Sequence, residues 1–143
     1  MVKTGTITIN SSNEAPEFID ITEKVQEEVK KAGLKDGNVL VFSRHSTAAV
    51  VIQETEQLLK DDLKNFITAL SPKERKYKHT DCPDHIADQM PNGHSHCQHI
   101  LLGSSEIIPF VDRELMLGTY QRIFLVELDR ARRREIVIQV TGE

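Results

Sequence analysis

Residues 94 to 99 read His-Ser-His-Cys-Gln-His, placing three imidazoles and a thiol in six consecutive positions ahead of an apolar run and a Gly-Ser-Ser. Imidazole exchanges its proton near neutral pH, and its unprotonated nitrogen is a good ligand for zinc-like ions. If residues 94 to 98 are extended, His94 and His96 share one face of the strand and both can reach one ion. A catalytic centre then needs a third protein ligand and an open position for water or substrate. His45, His85 or Asp81 could supply that ligand. Cys97 is a weaker choice, because on a regular strand it faces away from His96. The competing reading is a loop whose histidines only hydrogen-bond the backbone. Of the six histidines in the chain, those at 79, 85, 94, 96 and 99 lie between positions 79 and 99. A loop held by hydrogen bonds alone is built as readily from Asn, Asp and Ser, so the concentration favours a metal.

Other stretches carry weaker chemistry. Asp81-Cys82-Pro83-Asp84-His85 brings two carboxylates, a thiol and an imidazole together, as a Pro turn with solvated acids or as support for an ion. His79 and His99 are lesser candidates, and His99 reads as a surface or interface residue. Glu54 stands at a strand end, where it could act as general base or hold a metal-bound histidine in place. Glu56 reads instead as favourable charge at a helix start. Ser104 and Ser105, after Gly103, offer hydroxyls and backbone N–H groups to a phosphate, without the lysine of a Walker loop. Arg130, Arg132, Arg133 and Arg134 could grip a phosphate or simply line a solvated turn. No nucleophile elbow, Rossmann glycine pattern or HExxH occurs, which leaves the commonest hydrolase, dehydrogenase and metalloprotease templates unsupported.

The elements that must position these groups follow from periodicity. Residues 4 to 9 alternate Thr and Ile as a half-buried strand. Asp20 with Glu23 resembles a capping box for a helix whose Ile21, Val25 and Val29 share a face, with Gly33 as its stop. Residues 39 to 43 and 48 to 54 read as inner strands, with His45 at the end of the first. Leu58, Leu59, Leu63, Phe66, Ile67 and Leu70 make residues 56 to 70 a second amphipathic helix ending before Pro72. A long loop follows to about Ser95, of a length usually kept for function. Strands are expected at 96 to 102, 106 to 111, 121 to 128 and 135 to 140, the last two joined as a hairpin. The sum is an α+β domain with two main helices on mostly antiparallel sheets.

Composition bounds the rest. A chain of 143 residues supports a single domain, here 1–143. Its formal charge of -4 gives no encouragement to a nucleic-acid or anionic-membrane partner, so any phosphate chemistry must be local. The N-terminal stretch lacks the apolar core of a signal peptide, and no run approaches a membrane span, so a cytoplasmic location is expected. Cys82 and Cys97 then read as free thiols.

The order RHSTAAVVIQE, YKHTD, PNGHSHCQHILLGSSEIIP and LMLGTYQRIFLVELDRARRREIVIQVTGE resembles the YjbQ-type proteins, linked to a secondary thiamine-phosphate synthase activity. His45 matches the family's His-Thr-Ser/Thr-Ala motif and Glu54 its Asn-Glu pair. His79 matches the histidine after the aromatic, and His96 the one before the Leu-Gly. His94 and Cys97 match a longer-loop subset. Gly118, Thr119, Tyr120 and Gln121 match Gly-Thr-Trp-Gln, with Tyr120 in place of tryptophan. Arg113 stands where glycine is common.

The resemblance implies packed sheets, a homotrimer, and a site near subunit boundaries that gathers histidines around a metal or anion. The resulting expectation is an enzyme of small phosphorylated metabolites. His45, Glu54, His96 and Gln121 are its catalytic candidates, and Ser104 and Ser105 bind the ligand. A divalent ion, zinc-like or magnesium, is held among His45, His85, His94 and His96. A zinc-type hydrolase and a non-catalytic metal- or anion-binding trimer are the alternatives.

Overall fold

The computed structural model describes the backbone of residues 1–143 and every side chain except that of Asp88. Alternating burial along β1 (Val2–Asn10) fits the Thr/Ile alternation, and β1 pairs antiparallel with the last strand, β8 (Arg133–Gly142). β8 in turn pairs with β3 (Gly37–Ser43), β3 with β5 (Ser105–Val111), and β5 with the short β6 (Glu114–Leu115). A second sheet holds β2 (Glu17–Asp20), β7 (Gln121–Glu127) and β4 (Ala48–Glu54), with β7 central. Every pairing is antiparallel, and the expected α+β single-domain class holds.

The inner faces of the two sheets meet with α1 (Thr22–Ala32) in one core that includes Val25, Val29, Val41, Val50, Phe110, Leu125 and Ile138. The opposite face of the smaller sheet forms a second cluster of Ala49, Phe124, Val126 and Leu128 with Ile67 of α2 (Gln57–Leu70). β7 therefore buries side chains on both faces, which explains its unbroken apolar run. β4 is apolar for the same reason although it lies at a sheet edge, not inside as expected.

Helix ends follow local chemistry. Gly33 closes α1 with φ of 71°, a left-handed conformation that glycine adopts without steric penalty. The Glu56 carboxylate accepts the Leu59 backbone N–H to start α2. The expected capping box at α1 is only half formed. Asp20 accepts from the Thr22 backbone and hydroxyl, but Glu23 pairs with Arg122 instead of reaching back.

Two further expectations are corrected. Residues 121 to 127 and 133 to 142 do not pair as a hairpin, because β7 and β8 belong to different sheets. The segment expected as a strand from His96 is part of a helix, α4 (Gly93–Leu102). The long loop before it contains a 3-10 turn (Lys78–Asp81) and the short α3 (Pro83–Asp88). Among the described residues, no helix is long and apolar enough to cross a membrane.

Candidate functional site

Among the crossings between the two sheets, those from β3 to β4 through Arg44 to Thr47 and from β7 to β8 through residues 128 to 132 lie at the same end of the molecule. The Leu128 backbone N–H donates to the Thr47 carbonyl at 3.0 Å, which ties the two crossings together. Beneath them Arg134 and Glu127, 3% and 0% exposed, form an ion pair with Arg134 Nε 2.7 Å from a Glu127 carboxylate oxygen. Arg134 also donates to the Thr47 hydroxyl at 2.9 Å, while Glu127 accepts from Ser11 and from the backbone of Leu128 and Asp129. Burial of two charges is offset only when their remaining hydrogen-bonding capacity is satisfied, as it is here. The expected Arg grip thus separates. Arg134 is structural, and Arg132 remains at the surface.

A cleft of about 280 Å³ opens above this pair, with His45, His96, Arg44, Arg132, Asn92 and Asp129 among its lining residues. The Glu135 backbone N–H donates to His45 Nε2 at 2.8 Å. With that nitrogen accepting, the neutral ring must carry its proton on Nδ1. Burial, aided by the Arg134 charge, holds the His45 pKa below its ordinary value. His96 enters from near the start of α4, its pKa lowered by burial and then by His79. With Nε2 engaged, neutral His45 is left with Nδ1–H as a hydrogen-bond donor, while neutral His96 is suited to accepting a proton.

Arg132 pairs with Asp129 at 3.1 Å and Arg44 with Glu135 at 3.5 Å. Such partly exposed pairs are weak, so an anionic ligand can recruit both guanidinium groups. The Asn92 side-chain amide donates to Asp129 at 2.9 Å, while its Oδ1 is buried without a partner among the described residues. That oxygen is an acceptor available to a donor group of a ligand or to water.

The four expected metal ligands do not meet at one point. Side chains two apart on a helix diverge by about 200°, so His94 leaves the His96 cleft and lines recesses on the other side of α4. His85 lies beside His79, with the two Nε2 atoms 2.7 Å apart, and His79 stacks edgewise on His96 at 4.8 Å. The His45 lone pair that would coordinate through Nε2 is already engaged by Glu135. Among the described residues, no group of three or more His, Cys, Asp or Glu side chains is disposed to hold an ion. The imidazoles in ring contact are His79, His85 and His96.

Glu54 and Gln121 are cross-strand partners at the far end of β4 from Ala48, about 20 Å from the crossing at 3.3 Å per residue. Gln121 accepts the Gly118 N–H at 2.8 Å and lines a separate cleft with Glu23 and Arg122. Ser104 joins His99 Nε2 at 3.0 Å and its carbonyl accepts from Ser43, while Ser105 begins β5 opposite Phe42. Neither serine lines the His45 cleft. Arg44, Asn92, Asp129 and Glu127 carried no spacing signal of their own, whereas Arg134 stood in the run of arginines and was expected as a phosphate grip.

A family model described as UPF0047 protein YjbQ-like matches residues 5–143. A UPF0047 protein of Methanothermobacter thermautotrophicus is 38% identical over 127 residues, covering 89% of this chain and 84% of that protein. One from Archaeoglobus fulgidus is 39% identical over 123 residues, covering 86% and 90%. The fold is similar to the crystal structure of a YbjQ-like protein of unknown function from Sulfolobus solfataricus, with a TM-score of 0.86, 36% identity and full coverage of both chains. A hypothetical protein from Aeropyrum pernix has a TM-score of 0.86 at 34% identity, covering 99% of each.

Proposed function

We propose that this chain, which belongs to the YjbQ-like UPF0047 family, is an enzyme of small phosphorylated metabolites that works through the His45–His96 cleft. The observation that carries the reading is the His45 ring, whose Nε2 accepts from the Glu135 backbone so that Nδ1–H is left as its donor. Beside it stand Arg44, Arg132 and the second imidazole, His96. Donors and cations held in place suit charge that develops on a departing phosphate.

The reaction to test first joins a pyrimidine diphosphate to a thiazole phosphate. The thiazole nitrogen forms a bond to the methylene carbon, the bond from that carbon to the diphosphate oxygen breaks, and pyrophosphate leaves with the electron pair. In this assignment His45 donates a hydrogen bond to the leaving oxygens and Arg44 and Arg132 balance their charge. The four residues expected to bind a metal do not fit a shared ion, so no step is routed through one.

Glu54 of β4 and its cross-strand partner Gln121 of β7 lie too far from the crossing to serve the His45 cleft of their own protomer. A homotrimer is part of this reading, supported by apolar side chains left uncovered on the larger sheet, among them Phe42 at 40% and Ile107 at 64% exposure. Turnover of the two phosphorylated substrates by wild type, His45→Ala and His96→Ala, with size-exclusion profiles alongside, tests the assignment. Loss in both variants with assembly unchanged is expected. Wild-type turnover in either variant refutes that residue's role.

A second reading, as a zinc-type hydrolase or a non-catalytic metal-binding protein, draws support from the ring contacts of His79, His85 and His96. An ion there has to displace the hydrogen bond between His79 and His85.

A further inference from the structure

His94 and His96 are two residues apart, yet α4 sends them to different recesses, and the one taken by His94 has its own cations. It measures about 240 Å³ and is lined by Lys73, Arg75, Lys76, Tyr77 and His94, with Asp81 as the acid. We propose that Lys73, Arg75, Lys76 and His94 form a second anion site, on the other side of α4 from the His45–His96 cleft, for the phosphate or diphosphate group of a small molecule. In calling that molecule the second substrate, the proposal rests on the phosphate reading of the first cleft; the binding itself does not.

Charge is the first support. Lys73, Arg75 and Lys76 have no acid within ion-pair distance among the described residues, and neither have Lys3, Lys24, Lys60, Lys64 and Arg133; what sets the three apart is that they line one recess together. Three cations without acid partners on one recess of a chain with net charge -4 make a local positive field suited to an anion. His94 is kept toward the neutral form by burial and by Lys73, with Asp129 and Glu74 opposing, so it serves as a neutral hydrogen-bonding group there.

Anchoring is the second. The Tyr77 hydroxyl donates to the Pro72 carbonyl at 2.8 Å and sits 2.8 Å from the Ser71 hydroxyl, and Gln98 of α4 donates to the Ser71 carbonyl at 3.0 Å. A Cβ on Gly93 would stand 2.5 Å from Tyr77 Cβ, so the segment bearing the cations lies directly on the start of α4. Its backbone is therefore held to the same helix that presents His96, and less ordering is left to the moment of binding.

Size and continuity are the third. At about 30 Å³ per water, the recess accommodates a phosphate or diphosphate better than a large ligand. A neighbouring recess of about 170 Å³ shares Lys73, Pro91 and His94 and adds Asp129, which also walls the His45–His96 cleft. The recesses thus adjoin one another around the start of α4, with His94 and Asp129 as their shared walls.

Binding of inorganic pyrophosphate, measured by calorimetry at low ionic strength without added metal, tests this. Wild type should take up two equivalents. Lys73→Gln/Lys76→Gln should keep one, and His45→Ala/His96→Ala should keep the other, each with unchanged near-ultraviolet circular dichroism. One wild-type equivalent lost only in the lysine variant would uphold this site and overturn the first. One equivalent lost only in the histidine variant, or full binding in a folded lysine variant, overturns the second site, and no binding to wild type overturns both.

Discussion

His45 Nε2 accepts the backbone N–H of Glu135 across 2.8 Å, which joins a side chain of the first inter-sheet crossing to the strand that leaves the second. The contact specifies the His45 tautomer and sets the ring in the cleft. Nitrogen-15 NMR of the histidine rings should find neutral His45 protonated at Nδ1 and titrating below 6.5. A midpoint above 6.5, or a proton on Nε2, contradicts the arrangement.

The buried pair of Arg134 and Glu127 should be expensive to break and cheap to replace. Arg134→Met leaves an uncompensated buried carboxylate and should destabilise by about 3–5 kcal/mol. The double change Arg134→Met/Glu127→Met should recover much of that loss. Denaturant unfolding of the four proteins of the cycle gives the coupling, and additive losses would mean the pair is not the unit described.

Gly93→Ala should disturb the start of α4, because its Cβ meets Tyr77 Cβ at 2.5 Å and Tyr77 Cγ at 2.8 Å. Crowding of this kind costs about 1–3 kcal/mol. Thermal unfolding and pyrophosphate binding should both weaken. A variant of wild-type stability would show that Tyr77 yields freely.

Stability should also depend on pH through the histidines. His45, His94, His96 and His99 all have their pKa lowered from 6.5, with burial the leading cause. The unfolded chain then binds more protons in that range, so their contribution is full above pH 6.5 and is lost as pH falls through the lower folded values. Melting temperature should fall on acidification below 6.5, and less steeply in His45→Ala/His96→Ala. Equal slopes in the two proteins would remove these residues as a cause.

Elemental analysis of protein prepared without chelator or added histidines separates the two readings of the imidazoles. An ion held by His79, His85 and His96 should be lost in His79→Ala and His96→Ala and kept in His94→Ala. Loss in His94→Ala instead would restore the strand-like pairing of His94 with His96.

Periodicity and capping chemistry determined much of this protein. Val25 and Val29 face the core of a helix ending at Gly33, residues 57 to 70 form the second helix, and alternating Thr and Ile make β1 a half-buried strand, because each pattern is a local consequence of backbone geometry. Local signals were silent where two segments compete or cooperate at a distance. His96 to Leu102 carries an apolar run that fits a short strand or a helix, and packing against β4 and α2 decided for the helix, moving His94 away from His96. The run of arginines looked uniform, yet the tertiary fold buried Arg134 on Glu127 and left Arg132 on the cleft. Assigning β7 and β8 to different sheets turned an expected hairpin into the crossing that meets His45. That outcome depends on which faces two sheets can bury together, a property of the assembled layers and not of any one segment.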